Sequence, residues 1–235
     1  MITGIKLRNF FMDDSDRFDR VEARSDIALM KDVAYGNMKA FKELIDRYLD
    51  LVSRTAFRIL CDRRDSEYVT ARVFVALWND VLDYDDRFTV REWLLRKTCF
   101  YSRIRITHRR ILRIFGIQND VFVNVSPKVE NADDYVTKQA WELHCKAVSH
   151  MTPLQGMAYA LCVLEMLPVS DASMIIGMTG FRVGLALDRA ERKVKDQLKD
   201  YGKQDEYDSY NGFLRKVSDS ITDLKKLKRM IVFSV

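Results

Sequence analysis

An apolar stripe at helical spacing between residues 41 and 60 is the feature that most constrains the fold. It consists of Phe41, Leu44, Ile45, Tyr48, Val52, Ala56, Ile59 and Leu60. Apolar residues three and four positions apart share one face of a helix, so the segment predicts a long core helix. After a charged turn at 62–65, a second stripe predicts another amphipathic helix with Phe74 and Trp78 as core residues. That stripe consists of Val69, Val73, Leu77 and Val81.

Capping patterns mark where several helices begin and end. They occur at Ser25, at Gly36-Asn37, at Thr89 with Glu92, and at Thr152-Pro153 with Gln155. A short polar side chain before a helix accepts its first unpaired amides, and glycine commonly ends a helix. The chain has nine glycines and three prolines, and strand signatures are scarce. We therefore expect an all-α fold.

The positive charge of the chain is concentrated between residues 87 and 113. Nine basic residues fall there against one acid, although the whole chain carries a formal charge of only +5. A local cationic surface suits the docking of a polyanion. Trp93, Phe100 and Tyr101 are interleaved with these cations, a mixture suited to phosphate pairing and to stacking on unpaired bases. Nucleic acid is our first interpretation, and a solvated helix face with ordinary core aromatics is the alternative.

The second half of the chain predicts a separate helical unit. The helical period fails from Ile111 to about Asn131, which predicts a linker, and a new helix begins near Asp133. Between Ser170 and Ala190, a short helix, the turn 177–179 and a longer helix have the form of a helix-turn-helix. An ordinary helical hairpin fits the same pattern.

The predicted organisation is two small helical domains joined by a linker, the second containing a helix-turn-helix, plus a C-terminal amphipathic helix. The predicted segments are a flexible lead-in at 1–24, a first domain at 25–113, a linker at 114–132, a helix-turn-helix domain at 133–201 and a tail with its helix at 202–235. The last helix carries an apolar stripe, which seldom stays exposed in water. We expect it to cover part of the second domain or to bind a regulator. The stripe consists of Leu214, Val217, Ile221, Leu224 and Ile231.

Composition gives little support to an enzyme, a metal protein or a membrane protein. Three histidines, with no glycine-rich phosphate loop and no paired carboxylates in an apolar setting, argue against catalysis. His144, Cys145 and His150 form no recognised ligand pattern, so we expect no metal and no cofactor. No apolar run approaches the roughly 20 residues of a membrane span, which favours a cytoplasmic protein without membrane insertion. Scattered cysteines predict reduced, mostly buried thiols. They are Cys61, Cys99, Cys145 and Cys162.

Two helical units, the first with a basic-aromatic helix and the second ending in a helix-turn-helix, resemble bacterial RNA polymerase sigma factors of the extracytoplasmic-function (ECF) class. The resemblance covers about residues 26–110 and 150–198. In the first stretch it rests on Gly36-Asn37, Ala40-Phe41, Leu44, Tyr48, Ala56, Asp65-Ser66-Glu67, Phe74, Leu77, Trp78, Phe88, Trp93 and Leu94. In the second it rests on Leu161, Gly177, Val183, Leu187 and Arg189-Ala190.

The resemblance implies a divergent ECF sigma factor that binds core RNA polymerase and promoter DNA, with an anti-sigma factor as a further candidate partner. The third helix would bind the polymerase clamp, the basic helix would melt and read the minus-ten element, and the helix-turn-helix would read the minus-thirty-five element. The implied polymerase-binding positions are Asp65, Glu67 and Arg72. The implied DNA-binding positions are Arg96, Lys97, Phe100, Tyr101, Arg103, Arg105, Arg109 and Arg110 in the basic helix, and Thr179, Arg182, Arg189, Arg192 and Lys193 in the second domain.

The chain departs from the family pattern at five of the positions that carry these roles. Tyr68, Ala71 and Arg72 stand where the family usually has an acid, a glutamine and an acid. Phe100 and Ile104 stand where it usually has an asparagine and an aspartate. These departures motivate a first alternative, a sigma-like interaction protein that sequesters polymerase or a regulator. A plain helix-turn-helix regulator, binding duplex DNA as a dimer without polymerase, is the second.

Overall fold

The computed structural model describes residues 25–115, 132–199, 208–212, 214 and 224–233. Over these ranges the chain is all-α, as predicted. The helices are α1 (Asp26–Ala34), α2 (Met38–Leu60), α3 (Arg63–Asn79), α4 (Val90–Ile114), α5 (Ala132–Ser149), α6 (Pro153–Tyr159), α7 (Val169–Ile176), α8 (Gly180–Lys199) and α9 (Leu224–Phe233). A 3-10 turn at Val81–Asp83 follows α3, and a π-helical segment at Ala160–Leu164 continues α6. The predicted lead-in and most of the predicted linker lie outside the described residues.

The first two helices begin and end where their capping residues predict. Ser25 Oγ accepts an N–H from the first turn of α1 at 3.2 Å. Gly36 follows α1 with φ of +80°, a left-handed conformation that glycine adopts without steric cost. Asn37 Oδ1 then accepts the N–H groups of Lys39 at 3.0 Å and Ala40 at 3.3 Å. The capping predictions at this boundary are confirmed.

Two capping boxes fix the starts of α4 and α6. The N–H of Glu92 donates to Thr89 Oγ1 at 3.2 Å, and the N–H of Thr89 donates to Glu92 Oε2 at 2.8 Å. The N–H of Gln155 donates to Thr152 Oγ1 at 3.3 Å, and the N–H of Thr152 donates to Gln155 Oε1 at 3.0 Å. Both predicted boxes are confirmed, and each satisfies amides that the helix itself cannot pair.

The charged turn predicted at 62–65 is wrong, because α3 already begins at Arg63. Asp62 is its N-cap, and Asp62 Oδ1 accepts the N–H of Asp65 at 2.8 Å. A carboxylate at this position pairs an otherwise unsatisfied amide and interacts favourably with the helix dipole. The cluster of charges therefore starts the helix instead of delaying it.

Helices α1 to α4, the first unit, enclose the predicted core. Phe41, Leu44 and Phe74 are fully buried, which confirms the predicted stripe of α2 and the core position of Phe74. Trp78 packs on the same core from a half-buried position, with its ring centroid 5.1 Å from that of Phe41 in an edge-on arrangement. The basic helix α4 is thus attached to the core through its apolar face.

Helices α5 to α8 and the π-helical segment, the second unit, pack directly on the first. Phe57 of α2 stacks on Trp141 of α5 with ring centroids 4.4 Å apart and planes 6° apart. Leu95 of α4 belongs to one buried cluster with Leu161 and Ile175 of the second unit. Helices α2 and α4 therefore contribute core residues to both units, and the predicted domain boundaries stay predictions.

The C-terminal stripe is divided between the two units. Leu214 packs in the second unit, as expected, whereas Leu227 and Ile231 of α9 are buried in the core of the first unit. The Lys228 ammonium is also ion-paired with Asp46 of α2. The expectation that this helix covers the second domain is wrong for α9, because its apolar face is matched by the surface of α2 and α3. None of the described helices is both long and apolar enough to cross a membrane.

Candidate nucleic-acid and polymerase interface

Helix α4 presents a surface of aromatic and cationic side chains, formed by the exposed Phe100 and Arg103 and by Tyr101, which is half-buried against the core of the first unit. Phe100 is 46% exposed, and its ring lies edge-on to that of Tyr101 with centroids 5.3 Å apart. The Arg103 guanidinium carbon lies 5.9 Å from the Phe100 ring centroid. A cation beside an exposed ring offers a phosphate partner and a stacking platform at the same place. We call this the aromatic surface of α4.

Two other predicted DNA-binding cations of α4 are engaged with acids of α3. Arg105 Nε donates to Asp65 Oδ1 at 2.6 Å. Arg109 Nη2 is ion-paired with Asp65 and lies 3.6 Å from Asp62 Oδ2. Asp65, a predicted polymerase contact, is only 4% exposed. We call Asp62, Asp65, Arg105 and Arg109 the acid–arginine cluster. Within it, an acid predicted to bind polymerase is neutralised by two arginines predicted to bind DNA.

The remaining predicted polymerase contacts lie toward solvent on α3. Glu67 is half-buried and accepts a hydrogen bond from Arg63 Nε at 2.8 Å. Arg72 is exposed, and its guanidinium carbon lies 5.5 Å from the ring centroid of Tyr101. Tyr68 is also exposed, and the guanidinium carbon of Arg105 lies 5.3 Å from the centroid of its ring. The exposed face of α3 is therefore of mixed charge, with Glu67 as its more accessible predicted acid.

Two further predicted cations of α4 hold the second unit. Arg96 Nη1 donates to the carbonyl of Met174 in α7 at 2.7 Å. Arg110 Nη2 donates to the carbonyl of Met151, just before α6, at 3.1 Å. Lys97 stays within the first unit, where its Nζ lies 3.3 Å from Asp80 Oδ2. Of these cations, Arg96 lies beside the aromatic surface, because it lines one pocket together with Phe100 and Arg103, whereas Lys97 and Arg110 make their contacts elsewhere along the helix.

Helices α7 and α8 are joined by a turn of three residues at 177–179. Thr179 caps α8, since its Oγ1 accepts the N–H of Arg182 at 3.4 Å. Arg182, Arg189 and Arg192 are exposed, and their spacings of seven and three residues place them on one side of α8. Lys193 instead donates to the His150 carbonyl at 2.5 Å and to Gln155 Oε1 at 2.8 Å. The three arginines form the arginine face of α8.

Sequence reasoning missed a buried ion pair between the units. Arg58 of α2 is ion-paired with Glu165, and their side chains are 2% and 5% exposed. Arg54 Nε donates to the same carboxylate at 3.2 Å. The π-helical segment places Glu165 here, because the N–H of Glu165 returns to the carbonyl of Ala160 at 2.9 Å. One signal was present: Glu165 is a lone acid inside an otherwise apolar run at 157–169.

His144, which was considered above as a metal ligand, has a structural role. Its ring is fully buried, and Nε2 donates to the Arg58 carbonyl at 3.1 Å. Burial lowers the pKa of His144 to about 4, so the imidazole is neutral near pH 7. Among the residues that the structure describes, no three metal-ligating side chains lie close enough to hold an ion.

Comparison with known proteins gives a structural match and no match in sequence. No family model matches the chain, and no curated protein matches it. The solved structure of CnrH in complex with the cytosolic domain of CnrY matches with a TM-score of 0.55 and 19% sequence identity. The match covers 76% of this chain and 100% of CnrH, an ECF sigma factor. At this identity the likeness shows architecture alone, and the chain is thereby shown to have an ECF sigma-like fold.

Proposed function

We propose that the chain is an ECF-type sigma factor that directs bacterial RNA polymerase to promoters by binding both the core enzyme and promoter DNA. One observation carries the proposal: a sigma-like fold presents the aromatic surface of α4 and the arginine face of α8 to solvent. The first surface suits unpaired DNA and the second suits duplex phosphates. A protein acting at a melted promoter needs both.

The aromatic surface supports strand opening at the minus-ten element. Phe100 is 46% exposed, so an unpaired base can stack on its ring, and base–aromatic stacking is worth about 1–3 kcal/mol. Arg103 lies beside the same ring and supplies a cation for the neighbouring phosphate. In this proposal Phe100 takes over, by stacking, the position where the family usually reads a base with a polar side chain.

The arginine face supports duplex binding at the minus-thirty-five element. Its three arginines share one side of α8, the second helix of the α7–α8 pair, and Thr179 fixes the start of that helix. Val183, Ala186 and Ala190 form the adjoining buried side of the same helix. Contacts made by arginine alone position a protein on the phosphate backbone, and any base reading would come from the exposed first turn of α8.

Polymerase binding falls on the exposed side of α3, with Glu67 as the accessible acid. Asp65 becomes available only when Arg105 and Arg109 exchange it for another anion, such as a DNA phosphate. Binding of DNA would therefore uncover an acid for the polymerase, and binding of polymerase would release two cations for DNA. The proposal couples the two partners through the acid–arginine cluster.

A sequestering protein with the same fold is the second candidate, and the acid–arginine cluster favours it. If Arg105 and Arg109 never release Asp65, these two cations are not available to promoter DNA and Asp65 is not available to polymerase. The chain would then bind a partner without opening a promoter. An anti-sigma partner fits either candidate, since CnrH is solved in complex with the cytosolic domain of CnrY. A comparable small protein binding this chain would act on its partner-binding surfaces.

Titration of labelled protein with core polymerase from its own host, followed by permanganate detection of melted promoter DNA, tests the proposal. The sigma factor binds core enzyme and opens host promoters. Binding to core enzyme without opening of any promoter would support the sequestering protein instead. Duplex binding without polymerase binding would support a plain regulator. A Phe100→Ala variant is expected to bind core enzyme normally and to open promoters poorly, with Ile111→Ala, an equally exposed residue of the same helix, as its matched control.

A further inference from the structure

A small cavity lies where the two units meet, between the end of α2, the C-terminal half of α4 and the turn joining α5 to α6. Its volume is about 110 Å³. It is lined by the thiols of Cys61 and Cys145 and by Arg109, Ser149 and Gly156, among others. The two cysteines belong to different units and are far apart in sequence, so only the packing of the units brings them together.

Cys61 and Cys145 are direct neighbours in this cavity. Both side chains pack in the cluster around Phe57 and Trp141 and line the same cavity, and Cys145 is one of the groups that raise the pKa of Cys61. Cys61 is buried, whereas Cys145 is partly exposed. The other two cysteines, Cys99 of α4 and Cys162 of the π-helical segment, belong to a different cluster and do not line the cavity.

The backbone at Cys61 is a second, independent observation. Cys61 ends α2 with φ of +50°, a left-handed conformation usually taken by glycine or asparagine at this position. A cysteine there is held in a sparsely populated conformation by the surrounding structure, and such positions cluster at functional sites. Cys61 therefore stands at the end of α2, within the cluster that it shares with Trp141 and Cys145 of α5.

We propose that Cys61 and Cys145 are a modification site: a thiol pair that peroxide converts to a disulfide joining the two units. Cys145 is the more accessible thiol and reacts first. Its sulfur attacks one peroxide oxygen, the O–O bond breaks, and water leaves, so that the sulfur becomes a sulfenic acid. Cys61 then attacks that sulfur, the S–O bond breaks, and the hydroxyl leaves as water with the proton of Cys61. In sum, two thiols and one hydrogen peroxide give one disulfide and two waters.

The second step should depend on pH, because the thiolate is the attacking species. Burial first, and then the neighbouring Cys145 and Asp62, raise the pKa of Cys61 well above its ordinary value, whereas the charge of Arg109 acts in the opposite direction. Only a small fraction of Cys61 is therefore thiolate near neutrality, and the rate of disulfide formation should rise with pH through the alkaline range. The two cysteines line one cavity, so their reaction needs no diffusion, and this offsets the small thiolate fraction.

The disulfide would fix the contact between α2 and α5 and so oppose separation of the units. It would close the cavity beside Arg109, a member of the acid–arginine cluster. Reduction by a dithiol would restore the separate thiols. The bond forms or fails to form whether or not the chain is a sigma factor, because the proposal rests on the packing of the units alone.

Treatment of the full chain with hydrogen peroxide, followed by alkylation, proteolysis and mass spectrometry, tests the proposal. We expect a cross-linked peptide pair containing Cys61 and Cys145 that disappears on treatment with dithiothreitol. Oxidised protein should unfold at a higher temperature than reduced protein, and this shift should be absent from Cys145→Ser. A double variant, Cys99→Ala with Cys162→Ala, keeps the pair and should retain both results.

Two outcomes would overturn the proposal. In the first, Cys145 is oxidised to the sulfinic or sulfonic acid while Cys61 remains alkylatable, which would show that the thiols cannot reach each other. In the second, the cross-linked peptides contain Cys99 or Cys162 in place of either partner. If Cys145→Ser fails to fold, peptide mapping of the unsubstituted chain still decides between these results.

Discussion

The carboxylate of Glu165 is paired with the buried guanidinium of Arg58 and thereby fastens the second unit to α2. Removing one member of a buried pair leaves the other charge without compensation, which costs about 3–5 kcal/mol. Glu165→Gln keeps the shape of the side chain and removes its charge. We therefore expect this variant to lower the free energy of unfolding by about 3–5 kcal/mol, measured by urea denaturation.

Glu67→Gln is the matched control for that substitution. Glu67 is paired with Arg63 one helical turn away at the surface, and such pairs are worth about 0–1 kcal/mol. The control should unfold almost like the parent. Equal stability losses in the two variants would show that the Arg58–Glu165 contact does not hold the units together.

Acid should destabilise the protein through His144. The pKa of His144 is about 4 in the folded chain, compared with its ordinary value of 6.5 in the unfolded chain. As pH falls, the unfolded chain therefore binds a proton at this histidine before the folded chain does. The contribution of neutral His144 to stability is fully present above pH 6.5 and is lost as pH falls towards 4. The difference of about 2.5 units corresponds to roughly 3 kcal/mol.

His144→Gln isolates this contribution. A glutamine amide can donate to the Arg58 carbonyl in place of the imidazole, but it does not titrate. Urea unfolding between pH 7.5 and 4.5 should show a smaller loss of stability with acid in the variant than in the parent, whatever its stability at neutral pH. Parallel pH profiles would assign the acid sensitivity to other groups.

The sequence predicted those parts of the structure that depend on neighbouring residues. Caps at Asn37, Thr89 and Thr152 act within three residues, and the stripe of α2 is a property of one helix. What it missed depends on residues far apart. No local pattern indicates that Arg105 pairs with Asp65, because that contact follows from the packing of α4 against α3.

The same reason explains the errors at the C-terminus and between the units. The stripe near Leu214 and Ile231 predicts that a helix is covered but not which surface covers it. The position of Glu165 depends on a π-helical segment, and periodicity measured at 3.6 residues per turn does not detect an added residue in one turn. Roles in DNA and polymerase binding came from the family resemblance and stay predictions.

Salt dependence of DNA binding should separate the cations of the arginine face from those of the acid–arginine cluster. Each phosphate contact contributes about 0.7 to 0.9 to the slope of log affinity against log salt. Arg189→Gln and Arg192→Gln together should flatten this slope, measured by fluorescence anisotropy with duplex DNA. Both side chains are exposed, so the fold should be unaffected.

Arg105→Gln is the comparison variant, because Arg105 is engaged with Asp65 in the protein without DNA. Its loss should lower protein stability in addition to any change in DNA binding. A slope that falls in Arg105→Gln but stays unchanged in the double variant would place the DNA contact on α4 and remove it from α8.

Helix α9 should stabilise the first unit. Leu227 is 2% exposed in the core formed with α2 and α3, and truncating a buried leucine costs about 2–5 kcal/mol. Leu227→Ala should lower the free energy of unfolding by that amount, measured by urea denaturation. Lys228→Ala, which removes only the ion pair to Asp46 near the surface, should cost about 0–1 kcal/mol. Indistinguishable unfolding of the two variants would mean that α9 is not held by its apolar face.

The last prediction uses Arg72 to decide between a working sigma factor and a sequestering protein. Arg72 is exposed on α3 beside the ring of Tyr101, so replacing it leaves the core intact. The family resemblance implies a basic polymerase surface opposite this position, where an arginine is repelled and a glutamate is attracted. An exposed ion pair is worth about 0–1 kcal/mol, or up to roughly fivefold in affinity. We therefore expect Arg72→Glu to bind core polymerase more tightly than the parent, with Arg72→Gln in between, in anisotropy titrations at two salt concentrations. The difference should shrink at the higher salt, because exposed charges are screened. Weaker binding by Arg72→Glu than by Arg72→Gln would mean that Arg72 meets an acid of its partner. The chain would then bind polymerase through a contact of opposite charge from that of the family, and the absence of promoter opening in the same complexes would identify it as the sequestering protein.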